Sequence, residues 1–154
     1  MTVQQLEEIA GQEARLRLTG FDEAQAWKLG CLLVEKGRAE GRPIVVNIRT
    51  PDSTLFHAAL SGATPDNDHW ARRKSNVTLR YHRASLAVGL SFKAKGILVP
   101  GAEHGLDPQE YAVHGGSFPV RLTSGRVIAA VTVSGLASEE DHAMVVEALG
   151  SLLG

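Results

Sequence analysis

The stretch Phe118-Pro119-Val120-Arg121-Leu122-Thr123-Ser124-Gly125-Arg126-Val127-Ile128-Ala129-Ala130-Val131-Thr132-Val133-Ser134 decides the fold class. Its second half is rich in β-branched residues, its first carries Phe118 and Val120, and the two flank the turn Thr123-Ser124-Gly125, so they predict a β-hairpin over 118–122 and 126–134. Ser138, with Asp141 three residues on, then predicts the cap of a last helix in which Val145, Ala148, Leu149 and Leu152 share one face. Glu139 and Glu140 suit the positive end of that helix.

Working outward, a second hairpin is predicted for 44–49 and 54–60, joined by Thr50-Pro51-Asp52-Ser53 and preceded by the helix-stopping Arg42-Pro43. Asp22 predicts the cap of a helix whose Ala26, Trp27, Gly30, Cys31, Leu33 and Val34 form a broad apolar face. A short strand over 15–18 precedes it. The chain opens with a helix marked by Thr2 and Gln5 as a capping box and by Val3, Leu6 and Ile9 at helical spacing. A helix over 68–83 follows the first hairpin, Ser85 caps a further helical piece reaching Lys95, and Gly96 ends it. Residues 97–109 are rich in Pro and Gly and predict an irregular surface loop.

Hairpins and helices in alternating blocks, rather than strict βαβ units, predict an α+β domain with four or five antiparallel strands covered by helices. At 154 residues, without repeats or low-complexity linkers, the chain predicts one domain spanning 1–154 with a core of ordinary size. The single cysteine, Cys31, excludes an internal disulfide and fits a reducing, cytoplasmic compartment. The first residues are not those of a signal peptide, and no apolar run approaches the ~20 residues that span a bilayer, so no membrane association is expected.

The formal charge of −1 is unevenly spread. Residues 69–102 contain no Asp or Glu but hold Arg72, Arg73, Lys74, Arg80, Arg83, Lys93 and Lys95, while acidic residues gather near the two ends. Such a segment suits a small anionic ligand or an acidic surface of another subunit; a solvated helix face is the alternative. Nucleic acid is not expected, since the chain as a whole is slightly acidic and lacks a basic motif interleaved with aromatics.

A second layer of signal is carried by motifs. His114-Gly115-Gly116-Ser117-Phe118-Pro119-Val120, Gly125-Arg126-Val127-Ile128, Val131-Thr132-Val133-Ser134-Gly135-Leu136 and Asp141-His142 together resemble the signature of the haem-degrading domain family, the HbpS- and GlcG-like proteins. Asn67-Asp68-His69-Trp70, with Arg72-Arg73-Lys74-Ser75-Asn76-Val77 and Tyr111-Ala112-Val113, is similar to an uncharacterised branch of that family. The resemblance covers most of the chain from the first hairpin onward. It implies a profilin-like α+β fold, a five-stranded antiparallel sheet flanked by helices, and assembly into a symmetric homo-oligomer. Better-studied members bind haem or iron, which makes haem the cofactor suggested by resemblance. No haem-ligand motif carries over residue by residue.

The candidate ligand-binding residues are Trp70, Arg72, Arg73, Lys74, His114, Gly115, Gly116, Phe118, Ser134 and Gly135. Arg and Lys recognise carboxylates such as haem propionates. Gly115-Gly116 permits positive φ and a close approach, or simply a tight entry into a strand. Ser134-Gly135 runs from a strand end into a helix N-terminus, a frequent place for small-molecule sites. His114 and His142 lack partners at metal-ligand spacing, and no metal site is expected. Asp141-His142 does not form an acid–base pair by adjacency, because neighbouring helical residues point apart. No catalytic residues are assigned. Two functions follow: an oligomeric protein binding a small anionic ligand such as haem, or a structural or adaptor protein whose oligomer presents a surface to protein partners.

Overall fold

The structure is a computed structural model and describes residues 2–154. Five helices and five strands succeed one another as α1 (Thr2–Arg15), β1 (Arg17–Leu18), α2 (Glu23–Ala39), β2 (Val45–Arg49), β3 (Thr54–Ala59), α3 (Pro65–Tyr81), α4 (Ser85–Ala94), β4 (Ser117–Leu122), β5 (Val127–Ser134) and α5 (Ser138–Leu153). The strands form one sheet in the order β1-β4-β5-β2-β3. Both predicted hairpins are present, and β2 joins them by pairing antiparallel with β5. The two-residue β1 adds to β4 in parallel, so the sheet is mixed rather than wholly antiparallel. A parallel edge pair needs a long connection, supplied here by everything between β1 and β4.

Strand alternation divides the sheet into two unlike faces. Val46, Ile48, Phe118, Val120, Ala129, Val131 and Val133 enter the main core with Leu29 and Leu33 of α2 and Val145 and Leu149 of α5. Each of the larger side chains among them contributes about 1.5–3 kcal/mol by leaving water. The opposite face, under α3, mixes buried Val45 and Ala130 with polar groups: Thr132 Oγ1 donates to Ser117 Oγ at 3.0 Å, and Arg49 Nε donates to Ser75 Oγ at 2.8 Å. Register shifts at Ile48/Arg49 and Val120/Arg121 interrupt the ladders next to two arginines, and such bulges re-aim side chains.

Helix boundaries depart from the sequence reading at three caps. Helix α3 starts at Pro65, three residues before the predicted start, because Asn67 Oδ1 accepts the Thr64 N–H at 2.9 Å and Pro65 has no N–H to satisfy. It ends at His82, whose left-handed backbone (φ 56°) turns the chain into α4. Ser85 is the first residue of α4 rather than its cap. Its hydroxyl instead accepts the Ser117 N–H at 3.1 Å, tying α4 to β4. Ser138 is likewise not a cap: Ala137 holds that position, and Asp141 Oδ1 accepts the Leu136 N–H at 3.0 Å. Within the predicted 97–109 loop, Ala102–His104 forms one 3-10 turn.

Candidate functional site

At the end of the sheet where β5 finishes and β4 begins, Trp70 and Lys74 of α3, His114 from the segment before β4, and Ser134-Gly135 at the end of β5 line one cavity of about 210 Å³. Asn67, Leu136, Ser138 and Asp141 complete it. Trp70 and Lys74 share a helix face because they are four residues apart. The α5 N-terminus reaches the same place because Gly135, at φ 138°, turns the chain off β5 where a Cβ would lie 2.6 Å from the Pro43 carbonyl oxygen.

The floor is a buried ion pair. Lys74 Nζ and Asp141 Oδ2 are 3.0 Å apart, with side chains 4% and 2% exposed. Lys74 also donates to the carbonyls of Gly115 at 2.9 Å and Val133 at 3.1 Å, so its three protons are all engaged. Burial pushes the Lys74 ammonium down and the Asp141 carboxyl up from their ordinary values, and their mutual attraction opposes both shifts. Lys74 is therefore a structural cation, holding α3 to the sheet and to α5, and not a free charge.

At the rim, the rings of Trp70 and His114 meet edge to face with centroids 5.0 Å apart. The Arg73 guanidinium stacks over Trp70 at 4.6 Å from the ring centroid. It also donates to the Pro108 carbonyl from Nε at 3.1 Å and Nη2 at 2.8 Å. Burial, followed by the nearby Lys74 and Arg73 charges, holds the His114 imidazole below its ordinary pKa, so it is neutral at pH 7. A neutral imidazole, an indole face and an arginine edge can hold a planar or carboxylate-bearing group.

Five of the ten sequence candidates thus line the cavity: Trp70, Lys74, His114, Ser134 and Gly135. Arg73 borders it through Trp70. Gly115 and Gly116 lie behind it and turn their carbonyls toward Lys74 and the Val133 N–H. Gly116, at φ 136°, would bring a Cβ to 2.7 Å from Lys74 Nζ. Arg72 projects outward, 62% exposed, 3.6 Å from Glu110. Phe118 is in the main core, on the sheet face away from α3. Sequence reasoning missed Asn67, Leu136 and Ser138 as lining residues. Asp141 and His142 point apart as expected: Asp141 turns to Lys74, and His142 turns to Gln12 Oε1 at 2.7 Å and toward the Phe118 ring.

Residues 21–150 match the family model described as haem degrading protein HbpS-like. The chain belongs to the HbpS-like family. Among its relatives, a UPF0303 protein of Streptomyces coelicolor is 49% identical over 153 residues, covering 99% of this chain and 94% of its own. In three dimensions this HbpS-like chain is similar to the Ybr137w protein, with a TM-score of 0.86 and 31% identity over 96% of this chain and 87% of that one. A crystal structure of a PduOC–haem complex shares the fold, with a TM-score of 0.72 and 18% identity over 86% of this chain and 94% of the other.

At about 210 Å³ the cavity falls below the roughly 300–1,000 Å³ of ordinary ligand pockets. Its one buried cation is already neutralised by Asp141. A single chain does not enclose a tetrapyrrole here. Among the described residues, no three His, Cys, Asp or Glu side chains are grouped to hold a metal ion, and no helix is long and apolar enough to cross a membrane.

Proposed function

We propose that this chain is a binding domain for a small carboxylate-bearing ligand, which enters the Trp70–His114 cavity, and that it works as a homo-oligomer. The observation that carries the reading is the convergence of Trp70, Lys74, His114, Ser134 and Gly135, from three separate segments, on one cavity. Trp70 supplies a stacking face, neutral His114 a hydrogen-bonding nitrogen, and the edge of Arg73 the positive charge that Lys74 no longer offers. Haem belongs to this ligand class through its propionates, and a structural relative is described as a haem complex. The small volume means that haem would seat only an edge here, with a second copy covering the rest. Leu98 and Val99, 73% and 76% exposed beside Arg73 and His114, supply the apolar rim that such a contact would use.

The test is a titration of the purified chain with haemin, followed by absorbance and by light scattering. The expected result is a saturable Soret change in an oligomer, weakened by W70L and by H114A. Absence of a saturable change with haemin, together with unchanged Trp fluorescence on adding small carboxylates, overturns the ligand reading. In that case the adaptor reading stands, and L98D or V99D should dissociate the oligomer.

A further inference from the structure

A second cavity, of about 290 Å³, lies at the other end of the β4–β5 hairpin, between α1, β1, β4 and the α3–α4 connection. Arg17, Arg83 and Arg121 line it, and Glu13 is the one carboxylate facing them among the described residues. The register is the first unusual feature: Arg17 and Arg121 are direct partners across the β1–β4 pair, so their side chains leave the same sheet face side by side. Like charges opposite each other in a sheet are destabilising.

Glu13 does not balance them. One of its oxygens accepts the Ala84 N–H at 3.2 Å, and the other lies 3.5 Å from Arg121 Nη2. Burial raises the Glu13 carboxyl above its ordinary pKa, against the pull of Arg121 and Arg83 and the Ala84 N–H. Arg121 Nη1 donates to the Gly125 carbonyl at 3.0 Å and Nη2 to the His82 carbonyl, but its buried Nε has no partner. Arg83 is held by one bond from Nη2 to Ser91 Oγ at 3.1 Å, leaving most of its donors uncommitted. The remaining walls include Ala10, Ala14 and Ala87, whose short side chains leave the space open.

We propose that this cavity is a binding site for a small dianion, a phosphate monoester or a dicarboxylate, held between the guanidinium groups of Arg17, Arg83 and Arg121. Planar guanidinium forks match both kinds of oxyanion. The volume suits a compact ligand and excludes one as large as a dinucleotide. The site is separate from the Trp70 cavity and does not rest on it.

The experiment is isothermal titration of the full chain with inorganic phosphate and, in parallel, with succinate, at constant ionic strength set with chloride. Saturable one-to-one binding of either is expected; phosphate alone would identify a phosphate-type ligand, and succinate alone a dicarboxylate. R17Q and R83Q should each weaken binding about tenfold or more. Arg17 is exposed in a two-residue edge strand, so R17Q keeps the test valid even if R121Q, which also loses the bonds to His82 and Gly125, fails to fold. W70L should leave this binding unchanged. Binding no better than in the chloride control, or binding that R17Q and R83Q leave intact, overturns the proposal, as does its loss in W70L.

Discussion

The two ends of the β4–β5 hairpin handle buried charge in opposite ways. Under α3, one lysine meets one aspartate and two carbonyls, and the set is closed. Beside α1, three arginines face one glutamate that is itself half committed to a backbone N–H. The first arrangement joins three elements and leaves no charge for a ligand; the second leaves charge over. A basic residue in the sequence therefore says little about binding until its partners are counted, because a fully paired cation is structural and an under-paired one is not.

Breaking the closed set should have the largest effect. K74M leaves Asp141 buried without its counter-ion and two carbonyls without a donor, and should destabilise the chain by about 3–5 kcal/mol in urea denaturation. K74M combined with D141N should recover more than half of that loss, since the asparagine oxygen still accepts the Leu136 N–H. A cost below about 1 kcal/mol for K74M would mean that the pair is not structural.

Next in size is the α1 contact at His142, which burial holds down at a pKa of about 4. The ring is 5% exposed, donates from Nε2 to Gln12 and leaves Nδ1 buried without a partner, a neutral tautomer throughout. The folded state therefore binds fewer protons than the unfolded state between pH 6.5 and about 4. Stability from this group is present above pH 6.5 and is lost as the pH falls through that window, by about 3 kcal/mol at the acid end. Asp141 and Glu13 act with the opposite sign, because their raised pKa values make the folded state hold protons more tightly as the pH falls. The difference between wild type and H142Q, measured by denaturation at pH 7 and pH 4.5, isolates the histidine; H142Q should lose less stability on acidification.

Smaller effects separate the two ends further. E13Q should cost about 1 kcal/mol, since a carboxylate already weakened by burial is replaced by its neutral isostere, and phosphate should raise the E13Q melting temperature more than that of wild type. S138A should stay within about 0.5 kcal/mol of wild type, against the ~1 kcal/mol expected if Ser138 capped α5. A larger loss would show that the hydroxyl supports the Trp70 cavity.

Much of the architecture was legible in local chemistry. Apolar alternation and turn residues marked both hairpins, Asp22 marked the start of α2, and the apolar stripe of Val145, Ala148 and Leu149 marked α5, because each signal acts within a few residues along the chain. The parallel attachment of β1 was not legible, since two residues carry no periodicity and their partner lies about a hundred positions away. Half of the candidate site was found for the same reason that limits it. Trp70, His114 and Gly135 stood in distinctive motifs and had side chains or turns that suggest binding, whereas Asn67, in the same motif as Trp70, and Ser138 became lining residues only when distant segments met.

Taken alone, the order of residues determined the α+β class, the hairpins, the basic middle of the chain and the family it resembles. Tertiary structure alone decided which charges meet: Lys74 closes on Asp141 across 67 residues, Arg121 meets Glu13 across 108, and Arg17 stands beside Arg121 across the β1–β4 pair. Periodicity and turn chemistry are local and can be read from spacing, whereas the pairing of a charge depends on what packing brings within a few ångströms of it.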